Sequence, residues 1–202
     1  INMRSGDLPP PEGKIHFMGK DITGLTAAQR SQVGIGRSYQ RTNIFPQFSV
    51  LENVRLAAQS RRQEPWRIFS KAMEAKWALE KARACIEEAG LGKRVDWVSG
   101  VLSHGEQRQL EIAMVLATDA QVLLLDEPLA GMGSEESASM VEVLKRLRQT
   151  RGILLVEHDM DAVFAVADMI TVMVNGQVIA SGTPAEVRAD TAVQAAYLGE
   201  EH

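Results

Sequence analysis

Apolar residues recur along the chain with two different spacings. Between Glu106 and Ala117 they follow the helical repeat, whereas Val122–Leu125 is an unbroken apolar run. Such a run is typical of a strand that is buried on both faces of a parallel sheet. A second run, Ile153–Val156, follows a helical pattern over 135–148. Strand, helix and strand in this order predict a parallel βαβ unit, so we expect an α/β protein.

The patterns change along the rest of the chain. Short strands are predicted at 14–18 and 33–39. Turns are predicted at 9–13 and 19–21, and a helix capped by Thr26 is predicted at 27–30. Residues 48–115 carry helical patterns only: Ser49 and Glu52 predict a capping box, and a helix over 72–89 is expected to stop at Gly90. Near the C-terminus we expect a helix at 161–167, a hairpin at Asn175-Gly176, a capping box from Thr183 to Glu186 and a helix at 192–198.

Composition narrows the choice of partners. The 202 residues include 22 basic and 26 acidic side chains, a net charge of −4, which disfavours DNA or RNA as the main partner. Cys85 is the only cysteine and lies on a predicted apolar helix face, so we expect a buried thiol and no internal disulfide. No apolar run approaches the roughly 18 residues that span a bilayer. We therefore expect any membrane role to depend on a partner protein.

Two stretches carry candidate chemistry. In Leu102–Gln107 a loop turns into a helix, with Ser103 as N-cap and Gly105 allowing a ligand close to the backbone. The free N–H groups of such a helix start favour an anion, usually phosphate. The apolar run 122–125 ends in Asp126 and Glu127, and ligands of open α/β sheets bind at the carboxyl ends of strands. Asp126 suits Mg²⁺ binding, and Glu127 suits orienting or deprotonating an attacking water.

In this order, the two stretches closely resemble the signature and Walker B motifs of ATP-binding cassette (ABC) ATPases. The resemblance implies a P-loop NTPase core with a parallel sheet and an inserted helical subdomain. It divides the chain into a core segment at 1–47, a helical subdomain at 48–115 that ends in the signature motif, and a second core segment at 116–202.

The resemblance also assigns roles and cofactors, ATP and Mg²⁺. Gln40 would be the Q-loop glutamine that contacts Mg²⁺ and the attacking water, and Asp126 the second metal-binding residue. Glu127 and the H-loop residue His158 would be catalytic. Ser103, Gly105 and Gln107 would contact the nucleotide of a second ATPase subunit, either an identical copy or a paralogue. The chain departs from the family in two places: His104 stands where a glycine is commonest, and the loop at Gly133 lacks a frequent aspartate.

The phosphate-binding loop of the family, Gly-x-x-x-x-Gly-Lys-Ser/Thr, does not occur in these 202 residues. The resemblance implies that Ile1 begins just downstream of that loop, in an N-terminally truncated core. Since each lost charge-assisted contact is worth roughly 1.5–3 kcal/mol, we expect this chain alone to be inactive as an ATPase.

Subgroup patterns point to the importers of branched-chain and other hydrophobic amino acids. They are carried by Gly34–Gln40, Glu106–Ala113, Leu129–Met132 and Gly182–Val187. The resemblance implies membrane permease subunits as partners near 40–48, a solute receptor acting indirectly, and a cytoplasmic place on the inner face of the cell membrane. An amide or urea importer, a soluble ABC protein and an assembly module without chemistry remain alternatives.

Overall fold

The protein is described by a computed structural model, which covers residues 1–38, 43–60 and 71–198, with the backbone alone at 71–75, 197 and 198. The chain divides into two compact units, Ile1–Glu157 and His158–His202, and each is described by itself. Within the described ranges, no helix is long and apolar enough to cross a membrane. The division into 1–47, 48–115 and 116–202 stays a prediction.

A three-stranded parallel sheet lies in the first unit. Its strands are β3 (Ile35–Arg37), β4 (Val122–Asp126) and β5 (Gly152–Val156), in the order β3-β4-β5. Both neighbours of β4 are parallel to it, and Asp126 pairs with Val156 at its carboxyl end. Leu123, Leu124 and Leu125 are buried, as the unbroken apolar run predicts. With helix α6 (Ser134–Leu147) between β4 and β5, the predicted βαβ unit is confirmed.

Three helices of the first unit pack against one another: α3 (Val50–Gln59), α4 (Lys71–Glu88) and α5 (His104–Ala117). Their buried faces are apolar and include Val54, Ala82, Ile86, Leu110 and Ala113. Two short 3₁₀ segments, Gly92–Arg94 and Ser99–Val101, connect α4 to α5. Burial raises the pKa of the Cys85 thiol on α4 to about 11, in agreement with a structural role for this residue.

The N-terminal part holds α1 (Asn2–Ser5), a hairpin of β1 (His16–Phe17) and β2 (Lys20–Asp21), and α2 (Ala27–Val33). The predicted cap of α2 is confirmed, since Thr26 and Gln29 form a full capping box. The predicted turn at 19–21 is wrong: Met18 and Gly19 make the turn with positive φ, and Lys20 pairs with Phe17. Of the predicted box at α3, the structure has the Ser49 half, while the Glu52 carboxylate pairs with Arg55.

The second unit contains α7 (Met160–Val166), the hairpin β6 (Ile170–Val174) and β7 (Gln177–Gly182), α8 (Pro184–Ala189) and α9 (Thr191–Leu198). Asn175 and Gly176 both have positive φ, as the predicted hairpin turn requires. The capping box of Thr183 and Glu186 is confirmed, with Pro184 in the first turn of α8. The small core of this unit is formed by Ile170, Val172, Val187 and Val193.

Candidate functional site

Two residues at the carboxyl end of β4 are predicted to act in the chemistry, one by binding the metal and the other by activating a water molecule. Asp126 and Glu127 are both half-buried and follow three buried leucines on the central strand. Glu127 has a φ of 46°, a left-handed conformation that is uncommon for a residue with a side chain. Its backbone N–H donates a 2.8 Å hydrogen bond to the carbonyl of Val156, which holds this turn against the end of β5. Residues in such conformations concentrate at functional sites.

The loop after Glu127 is tied to the next strand. The backbone N–H of Leu129 donates a 2.8 Å hydrogen bond to Oε1 of Glu157, directly after β5. Leu129 is buried, so this carboxylate satisfies a donor that water does not reach. The ends of β4 and β5 are therefore joined by both backbone and side-chain hydrogen bonds.

An arginine lies beside the candidate metal ligand. Arg37 ends β3, and its Nη2 atom is 3.9 Å from Oδ2 of Asp126. The same guanidinium donates to Oγ of Ser5 at 2.8 Å and to Oδ1 of Asn2 at 2.5 Å, and it pairs with Asp7. Arg37 thus connects α1 and the turn after it to the carboxyl end of β4. We assigned Arg37 no role from the sequence, although parallel strands that end at one sheet edge bring their last residues together.

The start of α5 is the predicted phosphate site. Ser103 is its N-cap: the hydroxyl accepts from the N–H of Glu106 at 3.2 Å, and the Glu106 carboxylate accepts from the N–H of Ser103 at 3.1 Å. Arg94 pairs with Oε1 of Glu106 at 2.7 Å. Nε2 of Gln107 donates to the carbonyl of Leu102 at 3.1 Å, so this side chain fixes the loop before the helix.

Gly105 is buried under a residue of another helix. A Cβ atom built on Gly105 would lie 2.9 Å from Cδ of Glu136, in the first turn of α6. The nearby Ser103 hydroxyl holds the pKa of the Glu136 carboxyl below its ordinary value of 4.5, and the backbone N–H groups of Gly133 and Gly105 and the side chain of His104 act in the same direction. The sequence gave no signal of this contact, because acidic residues are ordinary in the first turn of any helix.

A second carboxylate links α5 to the segment that begins at Asn43, shortly after the predicted Q-loop residue Gln40. Glu111 is buried on α5; its Oε1 accepts a 2.8 Å hydrogen bond from the N–H of Asn43, and its Oε2 pairs with Arg108 at 2.7 Å. Burial raises the pKa of Glu111, against the lowering effects of these two partners. The predicted Q-loop glutamine, Gln40, lies outside the described residues.

The structure thus groups the predicted residues in two places of the first unit, at the end of β4 and at the start of α5. His158 belongs to the second unit, and its role stays a prediction. In the described residues no group of three or more His, Cys, Asp or Glu side chains could hold a metal.

Known proteins resemble this chain over nearly its whole length. A family profile described as "ABC transporter" matches residues 1–130, and one described as "Branched-chain amino acid ATP-binding cassette transporter" matches residues 177–202. LivG of Salmonella typhimurium is a high-affinity branched-chain amino acid transport ATP-binding protein. It is 34% identical to this chain over an alignment of 209 residues, which covers 99% of this chain and 81% of LivG.

The chain belongs to the family of ABC transporter ATP-binding proteins. BraF of Pseudomonas aeruginosa, another high-affinity branched-chain amino acid transport ATP-binding protein, is 32% identical, covering 99% of this chain and 81% of BraF. Among solved structures, the ADP conformation of MJ1267, an ATP-binding cassette of an ABC transporter, superposes with a TM-score of 0.79 at 30% identity, covering 98% of this chain and 82% of MJ1267. The fold is that of an ABC ATPase, a nucleotide-binding cassette, and the predicted fold class is confirmed.

Proposed function

We propose that this protein is the ATP-hydrolysing subunit of an importer for branched-chain or other hydrophobic amino acids. The single structural observation that carries the ATPase role is the carboxylate pair Asp126-Glu127, held at the end of the central strand by the Glu127–Val156 hydrogen bond. The solute class is supported by the similarity to LivG and BraF, both branched-chain amino acid transport ATP-binding proteins, and by the family match over residues 177–202.

The two residues at the end of β4 would have different roles in ATP hydrolysis. Asp126 would hold Mg²⁺, and the half-buried Glu127 would accept a proton from the attacking water. Gln40 would contact the metal, and His158 would contact a γ-phosphate. Bound ATP would supply the phosphoryl group, and Mg²⁺ would offset the negative charge of its phosphate oxygens.

The start of α5 serves the nucleotide of a second subunit. Ser103, Gly105 and Gln107 lie at a helix N-terminus, which binds an anion through backbone N–H groups and needs no lysine. Two ATPase subunits, identical or paralogous, would pair head to tail with a nucleotide between each β4 end and the other subunit's α5. Closure of that pair by ATP and its reopening after hydrolysis would drive transport.

An exposed apolar surface suits the membrane subunits. The Phe45 and Phe48 rings stack with centroids 5.5 Å apart, and the loop that carries them is joined to the segment before α5 by hydrogen bonds from Ser99 to Phe48 and from Gly100 to Pro46. The exposed apolar side chains of this surface are Phe45, Phe48, Trp97, Val98 and Val101. Contiguous exposed apolar surface marks interaction sites.

A cavity of about 250 Å³ is lined by residues that include Arg37, Ser38, Asn43 and Glu111. It adjoins the predicted permease contact at 40–48, where a helix of the membrane subunit would dock. We propose accordingly that the protein works in the cytoplasm on the inner face of the cell membrane, with the solute receptor acting only through the permease.

Solute-stimulated ATPase activity tests the solute class. We suggest a fusion in which a segment of Salmonella LivG, chosen to carry the Gly-x-x-x-x-Gly-Lys-Ser/Thr pattern, is joined ahead of Ile1; we call it the LivG fusion. In proteoliposomes with permease subunits and receptor, we expect leucine and valine to stimulate turnover and a sugar or metal ion to leave it unchanged. Stimulation by amides or urea alone would support the alternative importers of this subgroup. Stimulation by a sugar alone would contradict the proposal.

A further inference from the structure

The chain passes from the parallel sheet to the helices between Ser38 and Asn43. The backbone N–H of Ser38, directly after β3, donates a 3.1 Å hydrogen bond to the carbonyl of Leu124 on the central strand. The N–H of Asn43 donates a 2.8 Å hydrogen bond to Oε1 of Glu111 on α5. Gln40 lies between Ser38 and Asn43 in the sequence. The two hydrogen bonds therefore fix the ends of the segment that carries it.

The Glu111 carboxylate is oriented by a second partner. Its side chain is buried, and Oε2 accepts a 2.7 Å hydrogen bond from Nη1 of Arg108, three residues earlier on the same helix. A buried carboxylate requires hydrogen bonds to its oxygens, because they have lost water. Each oxygen of Glu111 thus has its own partner, Arg108 on one side and Asn43 on the other. The side chain is held in the one orientation that reaches Asn43.

The rest of the loop after Asn43 is held by other groups. The buried side chain of Asn53 accepts from the N–H of Phe45 at 2.8 Å and donates to its carbonyl at 3.1 Å. The Ser99 hydroxyl donates to the same carbonyl at 2.7 Å, and the Ser99 N–H donates to the carbonyl of Phe48 at 2.9 Å. These contacts do not involve Glu111. Its hydrogen bond therefore acts on the end of the loop that is nearest to Gln40.

Space beside Asn43 would let this end of the loop shift. Ser38, Asn43 and Glu111 line the same cavity of about 250 Å³, and Asn43 is exposed. Packing therefore restrains Asn43 weakly, and the hydrogen bond to Glu111 carries most of the restraint. Losing that bond would release Asn43 while leaving Phe45 in place.

We propose that Glu111 is a positioning residue for ATP hydrolysis, which holds Asn43 against α5 and so fixes one end of the segment that carries Gln40. The proposal rests on the proposed function, in which Gln40 contacts the metal. Small displacements of catalytic contacts slow a reaction strongly, so losing the Glu111–Asn43 hydrogen bond should lower kcat. The KM for ATP should change little, because the phosphate-binding loop supplies most contacts to the phosphates.

Two variants of equal charge and similar volume isolate the hydrogen bond. Glu111→Gln keeps a side-chain oxygen that accepts the N–H of Asn43, whereas Glu111→Met has no such oxygen. Amide hydrogen exchange of the 202-residue chain without nucleotide measures the bond. In Glu111→Met the Asn43 amide should exchange about tenfold faster than in the wild type, and in Glu111→Gln within about threefold of it. The Ser38 amide, bonded to Leu124, should keep its exchange rate in both variants.

Steady-state kinetics of the LivG fusion then measure the effect on turnover. Glu111→Met should lower kcat about tenfold or more with KM for ATP within about threefold, and Glu111→Gln should restore most of the lost kcat. Glu142→Met, at an exposed position of α6, is the control for the same substitution and should keep the wild-type kcat. If Glu111→Met does not fold, Glu111→Asp takes its place. It keeps the charge, but its side chain is one methylene too short to bridge Arg108 and Asn43.

The two measurements separate failure of the positioning role from failure of the proposed function. Equal exchange rates of the Asn43 amide in Glu111→Met and Glu111→Gln would overturn the positioning role. In an active fusion, an unchanged kcat in Glu111→Met, or a raised KM with kcat unchanged, would also overturn it, and the proposed function would stand. A fusion that hydrolyses no ATP even with the wild-type residues would contradict the proposed function, and the positioning role would fail with it.

Discussion

The backbone N–H of Glu127 donates a 2.8 Å hydrogen bond to the carbonyl of Val156. This bond holds a residue with a φ of 46° at the carboxyl end of the central strand. A backbone in a sparsely populated conformation persists only where its surroundings fix it. At Glu127 the backbone is held by strand β5 and by Glu157. The Glu157 carboxylate accepts a hydrogen bond from the N–H of Leu129, two residues after Glu127.

Replacing Glu157 should loosen this turn. Glu157→Ala leaves the buried N–H of Leu129 without its carboxylate acceptor, which costs about 1–3 kcal/mol of unfolding free energy. Glu157→Gln keeps an acceptor oxygen and should cost clearly less. Denaturant unfolding followed by tryptophan fluorescence measures both variants, and equal losses would show that this hydrogen bond contributes little.

Close packing of β3 against α5 predicts a cost for one added methyl group. A Cβ atom on Gly36 would collide with Val115 and lie 2.7 Å from Cβ of Ala120. Gly36→Ala should therefore lower the unfolding free energy by about 1–3 kcal/mol through overpacking. Gly24→Ala is the control, because a Cβ there meets no atom within 4 Å. Equal stabilities of the two variants would contradict the packing of β3 described here.

The raised pKa of Glu111 predicts a pH dependence. Its ordinary pKa is 4.5, and burial raises it in the folded protein, so the folded state binds the proton more tightly than the unfolded state does. Its contribution to stability is fully present below the unfolded pKa and is lost as the pH rises through the folded pKa. Relative to Glu111→Gln, which does not titrate, the wild type should therefore lose unfolding free energy from about pH 4.5 upwards.

Urea unfolding of both proteins at several pH values between about 4 and 7 measures this difference. Glu135→Gln, on an exposed part of α6, serves as the surface control. A difference between the wild type and Glu111→Gln that stays constant over the whole range would show that Glu111 binds its proton equally well in the folded and unfolded states.

Sequence patterns predicted the parts of the fold that depend on local signals. The buried run before Asp126, the cap at Ser103 and the turn at Asn175-Gly176 each have a residue-level cause, and the structure confirms all three. The hairpin at Met18-Gly19 was missed, because methionine is an uncommon residue at positive φ and the two strands are only two residues long.

Of the candidate site, only the residues within sequence motifs were predicted. Asp126 and Glu127 follow a strand whose pattern is visible in the sequence, but the partners of Arg37 and Glu136 lie 30 or more residues away along the chain. Such contacts arise from how the elements pack, which no local pattern encodes. This is why the Arg37–Asp126 pair and the Glu136–Gly105 contact appear only in the structure.

We propose that Glu127 is the catalytic carboxylate of an ATPase. The direct measurement is ATP binding and steady-state turnover of the LivG fusion, with and without Glu127→Gln, and with Glu135→Gln as the charge-matched control. Losing the general base should lower turnover by about 100-fold or more while ATP affinity stays within about twofold, because Asp126 and the phosphate-binding loop are unchanged. Glu135→Gln should keep wild-type turnover. Wild-type turnover in Glu127→Gln would contradict the account.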